Sequence, residues 1–566
     1  MKPQYLRPIG LFLILLVSIS VDATCSSLAK DDFGQSVPAV SQSRKLDSVS
    51  LDSFAEKAIL DDRISKIEQT PSKGTVQNKL LIDARCRRAE IYLGLGLYSL
   101  AEADLNLAEQ SLAPLSRTCE DDGSVDLSFA QLLTVRGELY AVRSQYLRAQ
   151  TTYEAALRYC VVSTDKQSRK DAARLQEARI LRKRGELESS LCNFQSASAS
   201  YDKAYSLIDS LRSDYLGIDV ILEKSDLLLS RGRLSGQFLF YSKALSDYDA
   251  ALSLLSNESK MPLSDFLTYK RAELLTQMGE LQFNIGEEGQ AEKLLDKGYK
   301  DIRNLLVRHK DCPKLLLAKG RLGILTGELR LVQKDYIGAM SQAYVCISAS
   351  KKALDMSPES IDAKLAQAQA WGNFSKYSYC QGSPSLDSVE TLNRAIALMD
   401  DIQSSAPTNL LSLKYKTNFL VNKSFYSAQG KNYGDVDTAN GQALASANAW
   451  VAGAPLSAKA HVMQGLILSS MAELDSKFSR NKPIDTFRES ISVIQEGADI
   501  SPSDCATCLL YKASVIQKLI PLLKDQNQND EAEKLRAEVK HLVAATPAAD
   551  LRSAEAKRFL QSVTSH

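Results

Sequence analysis

Histidine is scarce in this chain of 566 residues: there are four, His309, His461, His541 and His566. They lie far apart and share no motif with a serine, a cysteine or an acid. A catalytic triad or a zinc site needs several such groups converging, so the expectation is a protein that is not an enzyme and carries no metal or other cofactor. No phosphate-binding loop is present, since no lysine follows Gly94-Leu95-Gly96 in the required place. An excess of charge of one sign is missing too. Lys and Arg number 69 against 68 Asp and Glu, a net charge of +1. No global field therefore draws the chain to nucleic acid or to an anionic membrane. There is no basic tail and no zinc-finger pattern, which argues against a nucleic-acid partner. Beyond the N-terminus no apolar run reaches the roughly twenty residues of a membrane span.

What is present is ordinary globular material, with 44% apolar and 24% charged residues. That is enough to bury a substantial core. The first residues differ. Lys2 and Arg7 precede an apolar run of about eleven residues, Leu11 to Val21, shorter than a membrane span. Val21-Asp22-Ala23 supplies a small-x-small cleavage site, so residues 1–23 read as a secretory signal peptide and the mature chain as secreted, periplasmic or envelope-associated. Two alternatives stay open: an uncleaved N-terminal anchor, and a lipoprotein modified at Cys25, against which Asp22 and Thr24 speak.

The main signal is internal repetition. Gly137-Glu138-Leu139-Tyr140 is followed by Tyr146, Ala149, Tyr153 and Ala156; Gly185-Glu186-Leu187 is followed by Phe194, Ala197, Tyr201 and Ala204. The frame returns as Gly232, Tyr241, Ala244, Tyr248 and Ala251, then around Gly279 and Ala291, then around Gly327 and Ala339. Earlier it runs through Ala89, Tyr92, Tyr98, Ala101, Leu105 and Ala108. A small residue lets two helices approach where they cross, and residues four apart share a helix face. This pattern resembles the tetratricopeptide repeat. The resemblance implies an all-α, right-handed superhelical solenoid of antiparallel helical hairpins, A and B, each stacking on the next. The first alanine of helix B falls at 101, 149, 197, 244, 291 and 339, in steps of 47 or 48 residues. The family's usual unit is about 34, so each hairpin carries about fourteen extra residues, expected in longer helices and longer B-to-A connections. Further units are expected near Ser388, Val436, Ile484 and Ala532, with an enlarged turn at Gln381 to Leu386.

The expected organisation is a signal peptide at 1–23 and a disordered, Ser-rich linker at 24–46. A capping helix region follows at 47–80, then a solenoid of about ten units at 81–547 and a second capping helix at 548–566.

Two features carry candidate chemistry. Directly after the small helix-A position stand Glu90, Glu138, Glu186, Glu280, Glu328 and Glu473, with Arg233 the exception. The resemblance places this position near a concave groove, so the acids are candidate partner-binding residues for a basic or extended peptide. The alternative is a ladder of inter-repeat pairs with Arg88, Arg136, Arg184 and Arg231, of little net effect on affinity. Second, ten cysteines in an exported chain are candidates for disulfides. Cys119 and Cys160 follow successive B helices and are placed to bridge. Cys192 falls at the opposite edge, and Cys346 occupies a buried small position. Cys505-Ala-Thr-Cys508 is a CxxC, open as a local disulfide, a pair of free thiols or a redox pair.

The functional expectation is a scaffold whose concave groove holds a protein or peptide partner. A second reading is an accessory or structural subunit of an envelope or secretion complex that binds through edges and caps. A third is a thiol-active protein using the CxxC.

Overall fold

The computed structural model describes residues 53–70, 75–112, 124–160, 167–211, 217–257, 265–383, 385–480, 482–500 and 505–544. The expected signal peptide, linker and C-terminal cap lie outside them. Among the described residues there are twenty-one helices and no strand. Helix α1 (Ser53–Glu68) packs on the first of ten antiparallel pairs. The pairs are α2 (Thr75–Gly94) with α3 (Tyr98–Leu112), α4 (Ser124–Val142) with α5 (Tyr146–Arg158), α6 (Gln167–Ser190) with α7 (Phe194–Asp209), and α8 (Gly217–Gln237) with α9 (Tyr241–Asn257). Then come α10 (Asp265–Ile285) with α11 (Glu288–Arg308), α12 (Pro313–Val332) with α13 (Tyr336–Met356), and α14 (Ile361–Gln381) with α15 (Ser385–Ser405). The last are α16 (Leu410–Gln429) with α17 (Tyr433–Gly453), α18 (Ala458–Lys477) with α19 (Pro483–Ile500), and α20 (Cys505–Asp525) with α21 (Asn529–Ala544).

Each A-to-B turn is built the same way. One residue takes a left-handed backbone: Gly96, Ser144, Cys192, Leu239, Gly286, Lys334, Gly382, Lys431, Ser479 and Asn527. The next amide closes a loop to the carbonyl five residues earlier, as in Gln145 to Tyr140, Asn193 to Glu188 and Asp335 to Arg330. This satisfies carbonyls that the helix end leaves open. Side chains at the following helix start add caps, with Asn193 and Asp335 accepting from the amides three residues on.

The small helix-A residue does what close crossing requires. A Cβ on Gly137, Gly185 or Gly232 would sit about 2.5 Å from ring carbons of Tyr153, Tyr201 or Tyr248 respectively. In the sixth hairpin Ala343 leaves that space open, and Tyr377 of the next A helix fills it over Gly327. Likewise Phe419 of α16 covers Gly372 of α14. The later units look degenerate in sequence because the aromatic comes from the following hairpin.

Helix A is buried nearly all round, as in α10, whereas helix B buries one stripe, as in Ala291, Leu295, Gly298, Ile302 and Leu305 of α11. The A helices therefore form an inner layer and the B helices an outer one. In the first units helix B is shorter, 15 residues in α3 and 13 in α5, and the chain runs further before the next helix A, from Leu112 to Ser124 and from Arg158 to Gln167. In the later units the extra residues lie in helix length: α12 and α13 have 20 and 21 residues, and the connection from Met356 to Ile361 is short. The enlarged turn expected after Gln381 is also short, because Gly382 (φ 101°) reverses the chain and α15 starts at Ser385.

Candidate functional site

The solenoid coils tightly enough for its second superhelical turn to touch its first. The Ile361 N–H donates to Tyr98 Oη at 3.3 Å, and the Leu410 N–H donates to Tyr146 Oη at 3.3 Å. Thr408 Oγ1 donates to the Ser144 carbonyl at 3.0 Å. These pairs are 263 or 264 residues apart, about five and a half units. Gly96 presses so close to Ser360 that a Cβ there would lie 2.5 Å from its Cα. Tyr146 and Leu191 pack with Leu410, Trp450 and Ala460. A-to-B turns of the first turn thus seat on the starts of A helices in the second.

Behind this seam is a cavity of about 240 Å³. One wall is the C-terminal part of α4, α6 and α8, contributing Glu138, Val142, Lys183, Glu186, Leu187, Arg233 and Phe238. The opposite wall is the start of α14, α16 and α18 with Trp450, contributing Asp362, Leu365, Leu410, Lys414, Leu456 and Lys459. Tyr146 closes one side. The lining mixes aromatic and aliphatic surface with a few charges, the make-up of a binding site.

Of the acid row, Glu138 and Glu186 reach this cavity and Glu90, Glu280 and Glu328 are absent from its lining. The row is paired along the inner layer. Lys183 lies 3.8 Å from Glu138 and 3.3 Å from Glu186. Arg321 donates to Glu280 at 2.8 Å, and Lys376 donates to both oxygens of Glu328 at 2.7 Å. Lys518 donates to Glu473, and Glu90 pairs with Arg87 at 2.8 Å. At the exception, Arg233, the partner is reversed as well, Glu273 at 2.7 Å. Burial alone would raise the Glu186 carboxyl, but the charges of Lys183 and Arg182, with the Ser230 hydroxyl, hold it down at about 2.

The arginines expected to pair with the row serve another purpose. Arg88 and Arg231 clamp Asp104 and Asp247, and Arg184 clamps Ser200, in each case the residue sixteen further on, in helix B of the same hairpin. Arg136 reaches back to Glu109 at 2.8 Å. Arg88, Arg184 and Arg231 fasten helix A to helix B within their hairpins, whereas Arg136 ties its hairpin to the preceding one; Glu138, Glu280, Glu328 and Glu473 fasten one hairpin to the next. The sequence signal for the latter was a cation in the next A helix, 41 to 48 residues on.

Cys160 is a free, buried thiol whose Sγ contacts the Ala156 carbonyl at 3.8 Å. Cys119 and the Cys505 side chain lie outside the described residues. Cys508 is buried in the first turn of α20, and Cys346 is a buried packing residue against Gly320. His309 contacts Asp265 at 2.7 Å on a connection between hairpins, and His461 is held by the Ser457 carbonyl. Among the described residues no cluster of His, Cys, Asp and Glu is placed to hold a metal. No helix there is long and apolar enough to cross a membrane.

No family model and no curated protein matches the chain. Solved structures do. A Rap protein complexed with competence and sporulation factor overlaps 75% of this chain and 99% of its own, at 12% identity and a TM-score of 0.42. Aspartyl phosphate phosphatase F from Bacillus subtilis overlaps 74% and 94%, at 14% identity and 0.37. The human IFIT1 dimer with m7Gppp-AAAA overlaps 87% and 95%, at 14% identity and 0.40. Overlaps this loose say nothing of what this chain binds. The repeating hairpins, with a left-handed turn in every unit and a small residue of helix A set under an aromatic in several, make the chain an all-α, tetratricopeptide-like solenoid.

Proposed function

We propose that this chain is a protein-binding scaffold, and that it takes a short segment of its partner into the cavity between its two superhelical turns. The observation that carries the reading is the cavity itself, at about 240 Å³ and lined from both turns by Tyr146, Phe238, Leu410, Trp450 and Leu456. That volume is below the range of pockets that enclose a cofactor or nucleotide, and it suits one or two side chains of a peptide. Large aromatic anchors set in a polar rim are what gives a peptide site its affinity. The acid row, by contrast, is committed to neighbouring helices and offers an open groove little charge. Export through residues 1–23 belongs to the same proposal and is tested by N-terminal sequencing of the protein from its native source.

The test is capture of the partner with matched surface variants. Leu456 lines the cavity and is 47% exposed, so Leu456→Asp leaves the core intact. Leu147, 75% exposed, is absent from the cavity lining, and Leu147→Asp is the control. The expected result is that wild type and L147D retain the same partner while L456D loses it. Retention by L456D at wild-type level would place binding elsewhere.

A further inference from the structure

The outer face of the solenoid is not uniform in charge. On α11, Lys293, Lys297, Lys300 and Arg303 are all exposed and, at intervals of four, three and three residues, fall on one face over about 15 Å. Among the described residues none of these four makes a side-chain hydrogen bond or an ion pair. From Lys293 to Val307 the one exposed acid is Asp296. The neighbouring outer helix, α13, contains no acid before Asp355. Elsewhere the sign is reversed: α15 exposes Glu390, Asp400 and Asp401 against Arg394, and α19 exposes Glu489, Glu496 and Asp499 against Arg488. The net charge of +1 thus hides a cationic patch on the fifth and sixth hairpins. Large apolar side chains stand on the same two faces. Val307 closes the row of cations at 68% exposed, and Ile337 and Tyr344, seven residues apart on α13, are 70% and 65% exposed.

We propose that this face is a second interaction surface, by which the chain lies on an anionic lipid bilayer. It is independent of the cavity between the superhelical turns. Cations that no acid of the chain neutralises keep their field for an anion outside it, and each one held near an anionic leaflet strengthens adsorption. The lysine stems add apolar contact while their ammonium groups stay among the phosphates. Tyr344 joins an apolar ring to a polar tip, the kind of side chain that settles at the headgroup level, and Ile337 and Val307 enter the acyl boundary beside it. The outer helices curve outward and offer no groove to direct an extended acidic segment or a nucleic-acid strand. Either of those would also leave Ile337 and Val307 in water. A headgroup layer takes up both the charge and the apolar side chains, so it is the occupant that fits.

The experiment is co-sedimentation of the full chain with vesicles of equal parts phosphatidylcholine and phosphatidylglycerol. Vesicles of phosphatidylcholine alone measure what the apolar run Leu11 to Val21 contributes by itself. The variants are Lys297→Gln with Lys300→Gln, and Tyr344→Ser; the control is Lys534→Gln with Lys540→Gln, which removes the same charge from exposed positions on α21. All are first shown by circular dichroism and thermal melting to match wild type. Wild type should prefer the phosphatidylglycerol vesicles and lose that preference as salt is added. K297Q/K300Q should bind them roughly 25-fold more weakly, at about fivefold for each basic side chain beside an anionic surface. Y344S should weaken binding and keep the salt dependence, and K534Q/K540Q should bind as wild type does. No preference for phosphatidylglycerol, undiminished binding by K297Q/K300Q, or an equal loss in K534Q/K540Q would overturn the proposal. So would a single-stranded RNA or a polyglutamate peptide that binds wild type and not K297Q/K300Q while the vesicles do not bind at all.

Discussion

Lysine 376 offers a sharp test of how the hairpins are joined. Its Nζ donates at 2.7 Å to both oxygens of Glu328, and Tyr377 Oη donates to one of them at 2.7 Å. The two charged side chains are 1% and 3% exposed. Lys376→Met removes the cation and keeps most of the volume. Glu328 is then left as a buried carboxylate with one neutral donor, which costs about 3–5 kcal/mol in systems of this kind. A solenoid opens in parts, so the loss is to be read locally, by hydrogen exchange of peptides from α12, α13 and α14. Exchange there should speed up by more than about a hundredfold, while α18 to α21 stay unchanged. The double variant Glu328→Gln, Lys376→Met should recover most of the protection, since no lone charge remains. Unchanged exchange in α12 to α14 for K376M would refute the reasoning, as would a double variant no better than the single one.

Other outcomes follow from the same geometry. Gly185→Ala forces a Cβ against Tyr201 and should destabilise by about 1–3 kcal/mol, whereas Gly441→Ala, with open space around it, should stabilise by up to about 1 kcal/mol; thermal melts compare them. Leu239→Gly relieves a left-handed backbone (φ 63°) and should raise the melting temperature, by roughly the 1 kcal/mol that a side chain costs there. For Asp362 the folded carboxyl titrates at about 7, above its usual value of 3.8, so the folded state favours the protonated form. Stability should therefore fall as pH rises from 4 through 7, and Asp362→Asn should melt above wild type at pH 8 and level with it at pH 4. The opposite order would contradict the upward shift of this half-buried carboxyl. Tyr146→Phe removes the acceptor for the Leu410 amide and should cost about 1 kcal/mol, seen as faster exchange at the start of α16.

Much of the hairpin was legible in the sequence because its contacts are local. Gly137 and Tyr153, or Arg88 and Asp104, stand sixteen residues apart, and the same offset recurs in unit after unit. The left-handed turn was less visible, since Leu239 and Lys334 occupy a position that glycine would have advertised. The partners of the acid row were missed because the spacing to the next A helix varies and the cation is lysine in some units and arginine in others. The cavity was legible only through Glu138 and Glu186. Tyr146, Asp362, Leu410 and Trp450 come together from positions up to 304 residues apart, and their meeting depends on a small rotation summed over about five or six hairpins. No local pattern encodes that sum. The nearest sequence trace is the recurrence of cap residues Ser360, Asn409 and Ser457 at the helix starts that form one side of the seam.

The most direct measurement of the central claim is the distance across that seam. Spin labels attached by bio-orthogonal chemistry at Leu100 and Glu359, both exposed and next to the Tyr98–Ile361 contact, report it by pulsed electron–electron resonance. Contacting helices with two label arms predict a narrow distribution centred at roughly 20–30 Å. A broad distribution at much longer distance would mean that the superhelical turns stand apart and that the cavity between them is not formed.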